Sequence, residues 1–338
     1  MIQRTGLVNP EINQSFKTGL FRKFGIATVL SVYFLILVGG IVRGTGSGMG
    51  CPDWPKCFGQ WIPPTEVNEL PADYQSRFST EKIQVSEFSA FHTWTEYLNR
   101  LLGVIIGILI FITLILSFPL RKYRSGIFYF SLAGFLLVGF QGWLGAQVVA
   151  TDLSPAIITL HMLLALVITG CLVAGVSLAG GIYGLSPIAP NHKYQIWWKA
   201  CMTLSLVQII LGTQVRENID NIAIELGEAR RGEWINYLST PFYIHRSLSI
   251  LFIICAVQLF RSINKTEIFK GFKDLPKIQL LLILISVALG MILSYGGMPA
   301  FAQPLHLLSG SILSGILIYI GILIYVRPKS DYSLEEVK

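Results

Sequence analysis

LLGVIIGILIFITLILSFPL, residues 101–120, is a run of twenty residues without one ionisable side chain. An α-helix of this length measures about 30 Å, which is the thickness of the hydrocarbon core of a bilayer. Other parts of the chain are similarly apolar, and the sequence therefore predicts eight membrane-spanning helices. The predicted spans are 25–43, 99–119, 126–147, 157–183, 199–216, 243–260, 278–296 and 304–326.

The composition of the whole chain agrees with this prediction. Of the 338 residues, 53% are hydrophobic and 13% are charged, whereas a soluble globular chain carries roughly 25% charged residues. A disordered chain, a coiled coil and an ordinary soluble enzyme are thereby excluded. The net charge of +7 comes without a basic patch interleaved with aromatic residues, so no nucleic-acid partner is expected. We predict an all-α polytopic membrane protein surrounded by lipid.

Lys and Arg residues are distributed unevenly over the predicted loops. Seventeen of the 26 lie at the two chain ends and around the loops after spans 2, 4 and 6, while the loops after spans 3 and 7 contain none. Because cytoplasmic loops carry the excess of basic residues, both termini are predicted to be cytoplasmic in the cell (inner) membrane. The two long loops, about 44–95 and 217–240, are acidic and are expected on the extracytoplasmic side.

The first four spans match the last four in the spacing of their polar and small residues. The matching pairs are Gly39/Arg43 and Gly212/Arg216, four residues apart; Gly145/His161 and Gly290/His306, sixteen apart; and Asn99/His161 and His245/His306, 62 and 61 apart. Four spans per half give both halves the same orientation, as in a parallel repeat about an axis normal to the membrane. We predict two pseudo-two-fold related four-helix bundles, residues 1–185 and 186–338.

Three of the five histidines, His161, His245 and His306, lie at the predicted outer ends of apolar helices. A histidine at a helix end often caps the helix, yet an ionisable residue inside a membrane is a functional candidate by default. His245 and His306 belong to the second and fourth helices of one bundle. Two facing imidazoles in such a bundle typically hold a haem iron, whereas zinc needs further ligands at the same depth. We predict a bis-histidine haem site in the second bundle.

Four arginines occupy matching outer helix ends: Arg43 and Arg100 in the first bundle, Arg216 and Arg246 in the second. One interpretation is that these side chains snorkel to lipid headgroups. The other is that they bind haem propionates, because a guanidinium pairs bidentately with a carboxylate.

The first bundle differs from the second at two positions. Asn99 stands where the second bundle has His245, and Glu96 stands where it has Phe242. Glu96 and Asn99 share one helix face because they are three residues apart. One imidazole, His161, together with an ionisable group is typical of a site where a reaction takes place. The alternative is that Glu96 is a charge that stabilises the helix N-terminus.

The two remaining histidines are expected outside the membrane. His92 lies seven residues before Asn99 and would be a substitute ligand if it faced the cavity, but we expect it in the loop above. His192 is expected in a solvated cytoplasmic loop.

Cys51-Pro-Asp-Trp-Pro-Lys-Cys57 lies in the first long loop, on the predicted oxidising side, where a disulfide is expected. This bond either staples the loop, contributing roughly 2 kcal/mol, or exchanges electrons with the cavity below. The other cysteines, Cys171, Cys201 and Cys255, lie within apolar spans and are predicted to be packing residues.

Together these motifs resemble the haem A synthase family over all eight spans. The motifs are GGIVRGTGSG at residues 39–48, Cys51 to Cys57, Glu96-Tyr-Leu-Asn99-Arg100, His161, His245-Arg246 and His306. The resemblance implies an oxidoreductase that converts the C8 methyl of haem O to a formyl group by successive hydroxylations. The product, haem A, then goes to cytochrome oxidase.

The resemblance also implies roles for the two bundles. The second would hold a haem b cofactor on His245 and His306, and the first would receive haem O, with Glu96 as the catalytic residue. The family has histidine where this chain has Asn99, which leaves His161 as the protein ligand of the substrate iron unless His92 or water adds another. Haem O synthase and cytochrome oxidase assembly factors are implied partners, and a homo-oligomer is compatible with the pattern. The alternatives are a membrane cytochrome that relays electrons and a haem carrier or oxidase-assembly protein without catalysis.

Overall fold

The computed structural model describes residues 10–79, 87–180, 193–265, 272 and 274–325. Within these residues, eight helices are long and apolar enough to cross a membrane, and β-structure is limited to an isolated bridge between Cys57 and Gln60. The all-α polytopic fold is therefore confirmed. The helices are α1 (Pro10–Gly44), α3 (Ala90–Ser117), α4 (Ser125–Ala150), α5 (Pro155–Ala179), α6 (Lys193–Leu226), α7 (Thr240–Asn264), α8 (Leu275–Tyr295) and α9 (Ala302–Tyr325), with the short α2 (Tyr74–Phe78) in the first long loop.

Several helices extend beyond the apolar runs that predicted them. The helix α1 begins at Pro10, α3 begins at Ala90, and α6 continues past Arg216 to Leu226. Hydropathy marks only the lipid-crossing part of a helix, whereas packing against neighbours extends it. The predicted loops 44–95 and 217–240 are accordingly shorter, and the placement of His92 in a loop was wrong, because this residue lies in the first turn of α3.

The eight long helices form two rings of four. In one ring α1, α3, α4 and α5 contact each other in sequence and α5 returns to α1; in the other, α6 to α9 do the same. The rings meet where α9 contacts α1 and α5, and where α5 contacts α6. The helix α9 is the most enclosed, with 56% of its span buried. The pseudo-two-fold relation stays a prediction, and the predicted border at residues 185 and 186 lies outside the described residues, as does His192.

Close contact between α1 and α9 depends on two glycines. A β-carbon on Gly40 would lie 2.9 Å from Cα of Pro304, and one on Gly315 would collide with the Tyr33 hydroxyl. Small residues at such positions let helix backbones approach within a membrane. The two halves are thus packed together along α9.

The two long loops, predicted on the extracytoplasmic side, fold into small caps with apolar cores. We call the first the loop-1 cap (residues 45–79). Its Phe58 ring makes edge contacts with the rings of Tyr74 and Phe78 and with that of Phe88, which lies just before α3. In the second cap, Trp234 is buried. It packs with Met298 and with the part of α6 that follows the membrane-spanning stretch. Both caps lie over the ends of α1, α3 and α6 that carry the candidate residues.

Candidate functional site

His245 and His306 face each other inside the second bundle. They lie near the beginnings of α7 and α9, and their ring centroids are 6.1 Å apart with an interplanar angle of 69°. A metal–imidazole bond is about 2 Å long, so two imidazoles on opposite sides of one metal ion have centroids about 6 Å apart. The fold therefore brings this predicted pair to the spacing that a shared iron requires.

The hydrogen bonds of this pair leave nitrogen atoms available to a metal. Nδ1 of His306 lies 2.9 Å from the carbonyl oxygen of Ser286; since a carbonyl only accepts, Nδ1 carries the proton and Nε2 keeps its lone pair. Nδ1 of His245 is buried without a hydrogen-bond partner. Among the described residues, no group of three or more His, Cys, Asp or Glu side chains could hold a metal ion. The arrangement thus fits a haem better than a zinc site.

Each of the three predicted iron ligands, and also Asn99, faces a glycine of a neighbouring helix. A β-carbon on Gly212 would lie 3.6 Å from Cε1 of His245, and one on Gly290 would lie 3.7 Å from Cε1 of His306. In the first bundle the corresponding distances are 3.5 Å between Gly145 and Cε1 of His161 and 3.9 Å between Gly39 and Oδ1 of Asn99. Asn99 therefore occupies the place that His245 has in the second bundle.

The first bundle also contains buried polar atoms without partners. Oδ1 of Asn99 and Nδ1 of His161 are both buried and make no hydrogen bond, an arrangement that costs free energy unless a ligand satisfies it. Nε2 of Gln141 donates to the carbonyl oxygen of His161 at 3.0 Å, as Nε2 of Gln208 does to that of His245. Neither glutamine was among the residues predicted from the sequence, although each is an amide inside an apolar span, a signal that could have revealed it.

Glu96 and Arg100 hold the loop-1 cap on α3. Glu96 is only 4% exposed; its Oε2 accepts from the backbone N–H of Cys51 at 2.8 Å, and its Oε1 pairs with Arg100 at 2.5 Å. The Arg100 guanidinium also donates to the carbonyl oxygens of Cys51, Asp53 and Lys56 at 2.7–3.1 Å. These bonds are directed at the loop, and the binding of a propionate by Arg100 stays a prediction.

The predicted disulfide between Cys51 and Cys57 is present. Both residues are 0% exposed, because the loop-1 cap and α3 enclose them. Cys201 and Cys255 are buried within helices, and Cys171 is partly buried.

Comparison with known proteins shows the family to which the chain belongs. The family model COX15-CtaA, described as cytochrome oxidase assembly protein, matches residues 22–318. The chain belongs to the COX15-CtaA family. Proteins named "Heme A synthase" are among its relatives. That of Halalkalibacterium halodurans is 25% identical over 91% of this chain and 97% of its own length. That of Alkalihalophilus pseudofirmus is 24% identical over 90% and 97%, and that of Shewanella oneidensis is 32% identical over 40% and 38%.

His92 of this COX15-CtaA member is bound to the turn that follows α1. Its Nδ1 lies 2.9 Å from Oγ of Ser47, which in turn lies 2.8 Å from Oγ1 of Thr45. Seven helical residues separate His92 from Asn99, which is about 10 Å along the axis of α3. His92 therefore lies well above the level of the candidate iron site.

Arg43 and Arg216, which form a matched pair in the predicted repeat, share one carboxylate. Arg43 pairs with Oδ2 of Asp220 and Arg216 with Oδ1, each at 2.7 Å. Arg216 also donates to Gln303 at 2.6 Å and to the backbone oxygen of Arg43 at 3.1 Å. From the sequence, Asp220 is only one of several acidic residues in the second long loop, because no pattern along the chain connects it to Arg43.

Arg246, the fourth predicted arginine, lies over two aromatic rings. The centre of its guanidinium is 5.6 Å from the centroid of Phe242 and 5.5 Å from that of Tyr243. This packing fits a cation–π contact at the outer end of α7.

Replacing Asp220 with asparagine is expected to lower the midpoint of thermal unfolding in detergent. The substitution leaves two guanidinium groups close together without their shared negative charge, and charge-assisted hydrogen bonds of this kind contribute about 1.5–3 kcal/mol. The matched control is Asp274→Asn, because Asp274 pairs with Lys277 in an exposed ion pair that is expected to contribute little. Equal midpoints for Asp220→Asn and the unsubstituted protein would contradict this prediction.

Proposed function

We propose that this COX15-CtaA family member is a haem A synthase, an integral-membrane oxidoreductase that converts the C8 methyl of haem O to a formyl group. The observation that carries the proposal is the asymmetry between two otherwise matched sites. The same glycine contacts surround a pair of histidines in one bundle and His161 with Asn99 in the other. The names of the relatives support the same reaction.

In this proposal the second bundle holds haem b between His245 and His306. Haem b held by these two imidazoles would supply electron transfer. Ser286 fixes the orientation of the His306 ring through its carbonyl oxygen, and Gly212 and Gly290 leave room beside the two rings. Arg216, ten residues before the end of α6, and Arg246, near the beginning of α7, are the proposed partners of the propionates.

The first bundle, in this proposal, binds haem O as substrate, with His161 as the iron ligand and Arg43 and Arg100 near its propionates. Glu96 is the proposed catalytic residue. Two hydroxylations of the methyl, each a two-electron oxidation of that carbon by an external oxidant, give a hydrated aldehyde. Its loss of water moves a proton from one hydroxyl to the other. A fixed carboxyl is suited to carry that proton, and the bonds to Cys51 and Arg100 fix this one.

The cellular setting belongs to the same proposal. The excess of Lys and Arg at the chain ends and around three loops supports cytoplasmic termini and haem sites near the extracytoplasmic side of the inner membrane. Haem O synthase is the proposed source of substrate, and cytochrome oxidase assembly factors are the proposed recipients of product.

Two other functions predict different behaviour of the bound haem. A cytochrome that only relays electrons would keep tightly bound, non-exchanging haem in both bundles, and Asn99 argues against a second bis-histidine pair. A haem carrier or assembly protein without catalysis would exchange its haem readily and form no product.

The direct test is production of the chain together with a haem O synthase, in a host that makes no haem A. Pigments extracted from this host and separated by chromatography should include haem A. The same host without the chain should contain haem O and no haem A. The His161→Ala variant, at similar protein level, should yield much less haem A. Haem O that accumulates unchanged in the presence of the unsubstituted chain would overturn the proposed function.

A further inference from the structure

We infer that the substrate iron in the first bundle keeps one axial position open, and that this position binds a small ligand such as carbon monoxide beside the carboxamide of Asn99. The inference rests on the proposed function, because it requires haem to be bound by His161. It goes further in assigning to this bundle a binding site for a diatomic ligand, which the second bundle lacks.

The first argument is the identity of the residue at the second axial place. Asn99 faces Gly39 in the way that His245 faces Gly212, with β-carbon distances of 3.9 and 3.6 Å. Imidazole is a common ligand of iron, whereas amide oxygens suit hard ions such as calcium and magnesium. The iron of a haem between His161 and Asn99 can therefore bond to one imidazole of the protein, whereas the second bundle offers two imidazoles.

The second argument is that neighbouring side chains on the same face of α3 are already engaged. Both carboxylate oxygens of Glu96 are used, one by the N–H of Cys51 and one by Arg100. His92 is bound to Ser47 and lies about 10 Å further out along the helix axis. Neither can reach a metal at the level of Asn99 without breaking these contacts.

The third argument concerns the polarity of the open position. Oδ1 of Asn99 is buried without a hydrogen-bond partner, so this oxygen does not face water. Hydrogen-bond donors and steric access on the distal side of a haem decide whether it binds small ligands or only transfers electrons. The atom of Asn99 that faces Gly39 is the acceptor Oδ1, and Gly39 has no side chain to block steric access at this position.

The experiment is a carbon monoxide titration of the reduced protein, purified after production with haem O synthase. With haem in both bundles, we expect half of the haem to bind carbon monoxide. In Asn99→His this binding should fall at least about 10-fold while haem content is retained, because a second imidazole fills the position. Asn99→Leu, of similar size, should still bind carbon monoxide, and His161→Ala should lose the reactive haem but keep the spectrum of the second bundle.

The outcomes separate this inference from the proposed function. Haem in both bundles with no carbon monoxide bound would overturn the inference alone. Equal binding in Asn99→His and the unsubstituted protein would also overturn it. Haem confined to the second bundle, even after production with haem O synthase, would overturn the proposed substrate site and this inference with it.

Discussion

Replacing His245 or His306 with alanine is expected to remove the low-spin haem spectrum of the purified protein. Each histidine supplies one of two axial bonds to the same iron, and the facing rings 6.1 Å apart leave a gap that alanine cannot bridge. Loss of a residue that only orients a ligand costs metal sites about 10–100-fold in affinity, and loss of the ligand itself should cost more. The measurements are the reduced-minus-oxidised spectrum and the haem content per chain.

His92→Ala is the matched control for these two variants. His92 also lies in the first turns of a membrane helix, but its ring is bound to Ser47 and lies away from the second bundle. The low-spin spectrum should be unchanged in this variant. Persistence of that spectrum in both His245→Ala and His306→Ala would contradict the assignment of the cofactor site.

Replacing Glu96 with glutamine or alanine is expected to lower haem A formation at least about 100-fold while the spectrum of the second bundle remains. Glutamine keeps the shape of the side chain but not its charge. It removes the acid–base group and leaves Arg100 without its only carboxylate partner among the described residues. Breaking a buried pair in this way costs about 3–5 kcal/mol, so the loop-1 cap should also be held less firmly. Haem A and haem O are measured by pigment extraction from cells that make haem O.

Glu69→Gln is the control that separates this role from a general loss of charge in the cap. Glu69 belongs to the same cap, but its carboxylate is exposed and accepts from the N–H of Thr65 at 2.7 Å. Normal haem A formation is expected in this variant. Normal formation in Glu96→Gln and Glu96→Ala would show that Glu96 is not catalytic and only helps to hold the loop.

The sequence predicted the eight spans because crossing a bilayer demands long apolar runs, a constraint that acts locally. It missed the true beginnings of α1 and α3 and the continuation of α6, because these turns are polar and are stabilised by packing. The caps were missed for a related reason: the contacts of Phe58 with Phe78 and Phe88 join residues that are distant in the chain.

Repeated spacing predicted which residues of the candidate site would correspond. The glycines chosen by spacing are the ones that lie against the histidines and Asn99. Spacing could not reveal Asp220, because position 47, its counterpart in the repeat, is a serine. Nor could it show that Arg100 is directed at carbonyl groups of the loop, since this depends on how the loop folds back.

The burial of Cys51 and Cys57 has a kinetic consequence. Neither sulfur has accessible surface, and a thiol must reach a sulfur atom to exchange with a disulfide. An external reductant can therefore react only in molecules whose loop-1 cap has separated from α3, which requires the bonds of Glu96 and Arg100 to Cys51 to break. The rate of reduction at saturating thiol would then report how often this cap opens.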